Sequence, residues 1–241
     1  MANSDRTVRV FMLPQLIGSQ TLADNVVVID VLRASTTICT AIKNGAASVV
    51  PFLEIDEAKK FSTDDSSILT GGERGGIQIE GFDFGNSPFE YSKERVSGRT
   101  IAFTTTNGTK AMNQCRKSSN VFIGSFCNFS EIARSISKCQ QTDLICAGTN
   151  GEITLEDCLF AGMVADNVSK ESTANFNDQA EICRKLWMAS KSDLEEALKE
   201  STGGQNLTRL GKEEDVEFAA RIDSISILPK LDTNTWKIKP A

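Results

Sequence analysis

Asn25-Val26-Val27-Val28-Ile29-Asp30 is a run of β-branched residues without polar alternation. Such a run is typical of a strand that is covered on both faces of a sheet. Residues 34 to 43 follow with helical periodicity, and Gly45 stands where a helix commonly ends. A buried strand followed at once by a helix predicts the α/β class, in which crossover helices connect parallel strands.

The alternation of short apolar runs and helix-period segments continues along the chain. Further strands are predicted at residues 46–53, 67–70, 99–104, 120–124 and 142–147. Further helices are predicted at 55–61 and 87–95, after Thr109 up to about residue 114, and in two segments that begin at about residues 129 and 154. The C-terminal part from Asn175 is predicted to be mostly helical, with one last strand at 224–228. We therefore expect a mixed, largely parallel sheet with helices on both faces, a three-layer α/β/α architecture.

Residues 1–241 are interpreted as one compact catalytic unit, because no linker rich in proline, glycine or serine divides the chain. Two similar lobes that meet at an active-site cleft are the alternative. Thr-Asn-Gly occurs at 106–108 and again at 149–151, each time after an apolar strand and before a helix, which is typical of a reused unit.

Several turns and helix ends have strong local signals. Ser87-Pro88-Phe89-Glu90 and Ser192-Asp193-Leu194-Glu195 have the capping-box pattern, and Gly203-Gly204 is the expected stop of the second helix. Residues 71 to about 86 are predicted to form a glycine-rich loop.

The composition excludes several classes of chemistry. None of the 241 residues is histidine, so His-based triads, phosphohistidine intermediates and His-ligated zinc are excluded. The net charge of −6 offers no basic footprint, and we expect neither nucleic acid nor membrane as a partner. Seven scattered cysteines without a CxxC pair and a start without an apolar signal core predict reduced thiols and a cytoplasmic protein. A homo-oligomer is left open.

Polar side chains follow most of the predicted strands. In open α/β sheets the ligand lies beyond the carboxyl ends of the strands, so these positions are the candidate site. The candidates are Asp30, Arg33, Gly71-Gly72-Glu73-Arg74-Gly75-Gly76, Asp83, Asn86, Thr104-Thr105-Thr106-Asn107-Gly108-Thr109 and Asp157.

Each candidate has a structural alternative. Asp30 and Arg33 offer an oxygen ligand for a cation and a planar fork for an anion, or an ion pair that caps the next helix. The glycine segment that contains Glu73 forms either an anion cradle or a mobile turn. The Thr104–Thr109 hexapeptide either binds phosphate at the start of a helix or only caps that helix. Asp157 is either a metal ligand or part of a capping box. Asp83 and Asn86 are ligands or hold their loop.

The familiar phosphate-binding motifs are absent. The chain has no GxxxxGK[ST] and no GxGxxG, so neither a P-loop NTPase nor a Rossmann dinucleotide site is predicted. Six residues separate Cys127 from Arg134, one more than in the phosphate loop of cysteine-dependent phosphatases.

The motifs together resemble those of the 2-phosphosulfolactate phosphatase family, in the same order across most of the chain. The matching segments are residues 30–36, 71–74, 81–88, 104–109 and 147–149, with Leu210-Gly211, Asp215 and Leu228-Pro229 in the tail.

The resemblance implies a Mg²⁺-dependent phosphatase that converts 2-phospho-3-sulfolactate to 3-sulfolactate and phosphate, a step of coenzyme M biosynthesis in methanogens. We expect Asp30, Glu73 and Asp157 to hold Mg²⁺, with Arg33 as a further catalytic residue. The expected substrate-binding residues are Arg33, Arg74, Asn86, Thr104, Thr105, Thr106, Asn107, Gly108 and Thr109. Direct attack by water and an aspartyl-phosphate at Asp30 both remain open.

Two other functions compete with this hypothesis. The first is a phosphatase for another phosphorylated hydroxy acid, and the second is a non-catalytic sensor of phosphate or sulfolactate. Three carboxylates near one anion site speak against a pure anion binder unless a cation is present.

Overall fold

Eleven strands and ten α-helices lie within residues 6–63 and 65–241, the part of the chain that this computed structural model describes. The strands are β1 (Arg6–Phe11), β2 (Asn25–Ile29), β3 (Ser48–Pro51), β4 (Leu69–Arg74), β5 (Ile77–Gln78), β6 (Thr100–Thr104), β7 (Asn120–Gly124), β8 (Gln141–Cys146), β9 (Ala174–Phe176), β10 (Pro229–Asp232) and β11 (Lys237–Pro240). The helices are α1 (Ala34–Lys43), α2 (Ile55–Thr63), α3 (Lys93–Val96), α4 (Gly108–Gln114), α5 (Phe129–Ile136), α6 (Leu155–Glu171), α7 (Asp178–Ser190), α8 (Leu194–Glu200), α9 (Thr202–Arg209) and α10 (Glu213–Ala219). The predicted α/β class is confirmed.

All eleven strands belong to one sheet, in the order β5-β4-β6-β3-β11-β10-β7-β2-β8-β1-β9. Strands β4, β6 and β3 pair in parallel, as do β7, β2, β8, β1 and β9. The antiparallel hairpin of β10 and β11 lies between these two blocks and joins them. The predicted mixed, largely parallel sheet is therefore confirmed.

The β2 strand lies inside the larger block, between β7 and β8, and both of its faces are buried. Val26 and Val28 pack into one hydrophobic core with α1 and α4, whereas Val27 and Ile29 pack into another with α5, α6 and α7. Successive side chains of a strand point to opposite faces, so a strand between two helix layers has no polar alternation. Each such buried side chain contributes roughly 1.5–3 kcal/mol to folding.

The glycine-rich segment is only partly a loop. Strand β4 continues through residues 71–74 and turns at Gly75-Gly76, both at positive φ, into the short strand β5. A Cβ atom on Gly72 would lie 1.9 Å from the Thr104 carbonyl oxygen of β6. Glycine is therefore needed within this strand because another backbone approaches it closely.

The two predicted capping boxes are wrong. At Ser87 the chain forms a 3-10 turn, Pro88–Glu90, and then the short helix α3, and neither begins with a side-chain cap. The Ser87 hydroxyl instead donates to a carboxylate oxygen of Asp215, 2.6 Å away. Helix α8 also begins without a side-chain cap.

The predicted end of that second helix is also wrong, because Gly203 and Gly204 lie inside α9. A Cβ atom on Gly204 would lie 2.0 Å from the Leu198 carbonyl oxygen. The glycine therefore permits close packing of α9 against the end of α8 and does not terminate a helix.

The last predicted strand, at 224–228, is wrong. The Ile225 N–H donates a hydrogen bond to the carbonyl of Cys127, which lies in the 3-10 turn Phe126–Asn128. The sheet pairing begins only at Pro229. The hairpin of β10 and β11 was not predicted.

The seven cysteines are free thiols, and all except the half-buried Cys139 are buried. This confirms the prediction of reduced, mostly buried thiols. Within 6–63 and 65–241, no helix has the length and apolar content that a membrane span requires. The start of the chain, from which the lack of a signal core was inferred, lies outside the described residues up to position 5.

Candidate active site

A cavity of about 250 Å³ lies at the carboxyl edge of the sheet, where β2, β6 and β8 end. Its position agrees with the rule for open α/β sheets. Its wall consists of Asp30, Leu32, Arg33, Glu73, Gly75, Gly76, Asn86, Thr106, Asn107, Thr149, Asn150, Thr202, Gly203, Asn206, Leu207 and Arg209.

Asp30 follows β2 directly and is 9% exposed. Its Oδ1 atom accepts a hydrogen bond from the Ala34 N–H at 3.1 Å, at the start of α1. A Cβ atom on Gly108 would lie 2.7 Å from the Asp30 Oδ2 atom. The absence of a side chain at Gly108 thus lets α4 begin directly against the carboxylate.

The carboxyl group of Asp30 has an unusual protonation equilibrium. Burial, together with the nearby charges of Glu73 and Glu156, raises the pKa of Asp30 to about 7, although the hydrogen bond from Ala34 opposes the shift. Without a bound cation, this carboxyl group changes its charge near neutral pH. A strongly perturbed carboxyl in a cavity is a typical feature of an active site.

Arg33 also lines this cavity, and a buried ion pair holds its guanidinium in place. Its Nη1 atom lies 2.6 Å from Asp215 Oδ2, with the two side chains 4% and 2% exposed, and its Nη2 donates to the Gly76 carbonyl at 2.8 Å. The other Asp215 oxygen accepts the Ser87 hydroxyl. Arg33 is therefore paired with Asp215, and the alternative of an Asp30–Arg33 ion pair is wrong.

The exchange of Asp215 for asparagine should lower kcat/KM for phosphate release on the order of 10²-fold. The reason is that the Arg33 guanidinium loses the charged partner that orients it toward the substrate. The amide of the substituted side chain would still offer one acceptor, so the fold should persist. Glu214→Gln is the matched control, since Glu214 is the exposed neighbour on α10. Steady-state kinetics and thermal unfolding of both variants test this, and an unchanged kcat/KM in Asp215→Asn would contradict a positioning role.

Glu73 connects two segments of the cavity wall. Its Oε1 accepts the Thr106 N–H at 2.8 Å, and its Oε2 accepts the Gly76 N–H at 2.7 Å. The glycine turn is thus anchored to the loop after β6, and the alternative of a mobile turn is not supported by these contacts.

The Thr104–Thr109 hexapeptide divides into two roles. Thr106 and Asn107 line the cavity, and Gly108 lies against Asp30. The other three threonines bond within the protein: Thr104 to Leu53 and Arg74, and Thr105 and Thr109 to each other. The structure therefore brings part of the predicted anion-binding loop to the cavity and uses the rest to fix its shape.

The two Thr-Asn-Gly segments meet at the cavity. The Asn107 side-chain oxygen accepts the Asn150 N–H at 3.1 Å, and Asn150 has a positive φ of 54°. Thr149 and Asn150 line the wall beside Thr106 and Asn107. The sequence shows the repeated motif but not that its copies contact each other.

Arg74 does not reach the cavity wall. Its guanidinium donates to the carbonyls of Leu53 and Glu73 and to the Thr104 hydroxyl. These bonds hold β4 to its neighbours, so the structure does not bring Arg74 together with the other predicted substrate ligands.

Asp83 and Asn86 differ in their roles. The Asp83 carboxylate accepts the N–H and the hydroxyl of Thr70, which is the loop-holding alternative. Asn86 lines the cavity, and its side-chain oxygen is buried without a hydrogen-bond partner. An unpaired buried oxygen is costly unless a ligand or ion satisfies it.

Asp157 lies behind the cavity wall. Its two oxygens accept the N–H groups of Val31 and Gly148, at 2.8 and 3.0 Å, and so connect the segments after β2 and β8. Burial and the charges of Asp30 and Glu156 raise the pKa of Asp157. The carboxylate is committed to the backbone and forms neither a capping box nor part of the wall.

Glu156, the preceding residue, was not predicted. It is 2% exposed, and its Oε2 atom has no hydrogen-bond partner. Across 6–63 and 65–241, no three His, Cys, Asp or Glu side chains form a ready group of metal ligands.

Comparison with known proteins assigns the family. The model of the 2-phosphosulpholactate phosphatase family matches residues 11–234. Proteins named "Probable 2-phosphosulfolactate phosphatase" are similar to this chain. The one from Symbiobacterium thermophilum is 41% identical over 207 residues, which cover 84% of this chain and 89% of the relative. Those from Caldanaerobacter subterraneus subsp. tengcongensis and Thermotoga petrophila are 40% and 39% identical, over 86% and 88% of this chain and 87% and 91% of the relatives. The chain belongs to the 2-phosphosulfolactate phosphatase family, whose members are hydrolases of phosphoric monoesters.

Proposed function

We propose that this enzyme hydrolyses 2-phospho-3-sulfolactate to 3-sulfolactate and phosphate. The observation that carries the proposal is the convergence of Asp30 and Arg33 on one cavity at the carboxyl edge of the sheet. A carboxylate beside a fixed guanidinium suits a phosphoric monoester, whose transfer depends on positioning and charge stabilisation. The family membership supports this substrate.

Arg33 binds and orients the phosphoryl group in this proposal. Its guanidinium is held by Asp215 and the Gly76 carbonyl, so little conformational entropy is lost when it meets the substrate. The side chains of Thr106 and Asn107 provide further polar contacts on the same wall. Asp30 lines the same cavity, where it either orients the attacking water or attacks the phosphorus itself.

We also propose that the reaction requires Mg²⁺, with Asp30, Glu73 and Asn86 as its ligands. All three residues line the cavity and carry side-chain oxygen atoms, which Mg²⁺ prefers, and the unpaired Asn86 oxygen fits such a ligand. Mg²⁺ usually binds proteins through one or two carboxylates, with water and substrate phosphate completing its shell. When bound, it would neutralise charge on the phosphate oxygens. Both Glu73 and Asp157 accept two backbone N–H groups, but Asp157 is not retained as a ligand because, unlike Glu73, it is not part of the cavity wall.

The function is tested by measuring phosphate release from 2-phosphosulfolactate, with Mg²⁺ and with excess chelator. We expect turnover with Mg²⁺ and a loss on the order of 10³-fold or more after chelation, because the metal stabilises developing charge by several kcal/mol. Turnover of other phosphorylated hydroxy acids alone would identify a different phosphatase. Binding of sulfolactate without turnover of any phosphate ester would identify a sensor.

We place the enzyme in the cytoplasm and its product in a route to sulfonated metabolites, of which coenzyme M biosynthesis is the one that the resemblance implies. Seven free thiols support a reducing compartment.

A further inference from the structure

We propose that Arg209 recognises the sulfonate group of the substrate and thereby sets the specificity of the enzyme. This inference rests on the proposed function and goes beyond it, because it assigns a second anion subsite to a residue of the C-terminal helices. Arg209 is the last residue of α9 and lines the cavity that also contains Asp30 and Arg33.

Helix α9 holds its position against the body of the protein. The Ser201 hydroxyl caps the helix by accepting the Gly204 N–H at 3.0 Å, and Leu207 is buried in the core beside α6. Gly204 allows the helix to approach the Leu198 carbonyl closely. A well-placed helix thus carries Arg209 to the cavity rim.

The two arginines of the cavity differ in their charge balance. Arg33 is neutralised by Asp215 and donates to the Gly76 carbonyl. Arg209 is exposed, and its guanidinium forms no hydrogen bond or ion pair with any residue in 6–63 or 65–241. Among the described side chains of the wall, it is therefore the one cation that forms no ion pair.

The charge of the substrate requires such a group. 2-Phospho-3-sulfolactate carries a phosphate, a carboxylate and a sulfonate, whereas the cavity wall already contains the carboxylates Asp30 and Glu73. One neutralised arginine and a bound divalent cation would leave negative charge uncompensated. A second cation is needed where the substrate projects farthest from the phosphate.

The sulfonate is the group that fits the rim. The carboxylate is attached directly to the carbon that bears the phosphate, whereas the sulfonate is one methylene farther away. If the phosphate binds beside Arg33, the sulfonate is the acidic group with the longer reach toward Arg209 on the wall of the same cavity. A guanidinium donates two parallel N–H groups to two oxygens of one anion, and three sulfonate oxygens offer such a pair.

A competing role exists on the other side of Arg209. There it borders a groove that contains the acidic residues Glu196, Glu200, Glu213 and Glu217. If Arg209 serves only to balance these carboxylates, its removal should alter the stability of the helical part and leave substrate preference unchanged.

The experiment compares two substrates that differ only in the sulfonate, 2-phosphosulfolactate and 2-phospholactate. In Arg209→Gln, kcat/KM for the sulfonated substrate should fall about 10- to 100-fold, whereas that for phospholactate should change by less than about twofold. Arg209→Lys should recover part of the loss, since it restores the charge but not the fork. Arg134→Gln is the control, because Arg134 is 70% exposed and pairs only with Glu131 among the described residues.

Calorimetry of 3-sulfolactate and lactate binding provides a readout that does not depend on turnover. Arg209→Gln should weaken sulfolactate binding by a similar factor and leave lactate binding unchanged. Equal losses on both substrates, no loss on either, or a wild type without preference for the sulfonated substrate would overturn the assignment. A wild type that binds sulfolactate but releases no phosphate contradicts the proposed function alone. In that case, unchanged sulfolactate affinity in Arg209→Gln overturns the sulfonate subsite, and reduced affinity supports it.

Discussion

Asp30→Asn should reduce phosphate release from 2-phosphosulfolactate on the order of 10³-fold or more, the loss typical for a group that acts directly at the reacting atoms. Asparagine keeps an oxygen that can accept the Ala34 N–H, so the start of α1 should remain intact. What disappears is the negative charge at the cavity, which both routes of attack and the proposed Mg²⁺ ligation require. Phosphate release under saturating Mg²⁺ measures the effect.

The control for this variant is Asp56→Asn, which changes an exposed aspartate in the first turn of α2. It should retain wild-type kinetics, since α2 contributes no residue to the cavity wall. Activity of Asp30→Asn within about tenfold of wild type would exclude Asp30 as nucleophile, general base and metal ligand together.

The parts of the fold that could be predicted are those that depend on local periodicity. Strand β2 and helix α1 have long, uniform patterns, because both faces of the strand are buried and the helix packs along one side. The hairpin of β10 and β11 lacks such a pattern. Leu231 and Ile238 are its buried apolar residues, flanked by lysines and an aspartate. These strands form because the edges of two parallel blocks offer them partners, which no local window contains.

The prediction of a capping box at Ser87 was wrong because a partner that is distant in the sequence overrides the local pattern. The pattern at Ser87 specifies a local hydrogen bond, but a buried carboxylate at Asp215, 128 residues away, offers the hydroxyl a stronger partner. Asp215 in turn has to balance Arg33. The tertiary ion pair therefore overrides the local signal.

The candidate site was predictable wherever it follows a strand. Asp30, Arg33, Thr106 and Asn107 lie on the cavity wall because parallel strands end at one edge. Glu73 and Arg74 could not both face the cavity, since neighbouring residues of a strand point to opposite sides, and the structure places Glu73 there.

The main residues of the site that the sequence did not predict come from the C-terminal helices. Arg209 and Asp215 reach the site because α9 and α10 pack across the sheet edge. Their sequence pattern is that of ordinary surface helices, which carries no signal for such a crossing.

The contribution of Asp30 to the unfolding free energy of the enzyme in chelator should fall as the pH rises from about 4 to about 7. Asp30 has a pKa of about 7 in the folded protein, against an ordinary value of 3.8. Between these values the folded state binds more protons than the unfolded state, so each step up in pH favours unfolding. The full effect is roughly 4 kcal/mol, from about three pKa units at 1.36 kcal/mol each.

The difference between wild type and Asp30→Asn isolates this contribution, because other titrating groups act in both proteins. Denaturant unfolding at pH 5 and pH 8 should show the variant gaining stability relative to wild type by a few kcal/mol at the higher pH. A constant difference would mean that Asp30 titrates normally. Mg²⁺ at pH 8 should then stabilise the wild type and not the variant, since a ligand stabilises only the state that binds it. The carboxylate that destabilises the empty fold is thus expected to be the group through which the cation and the substrate stabilise it.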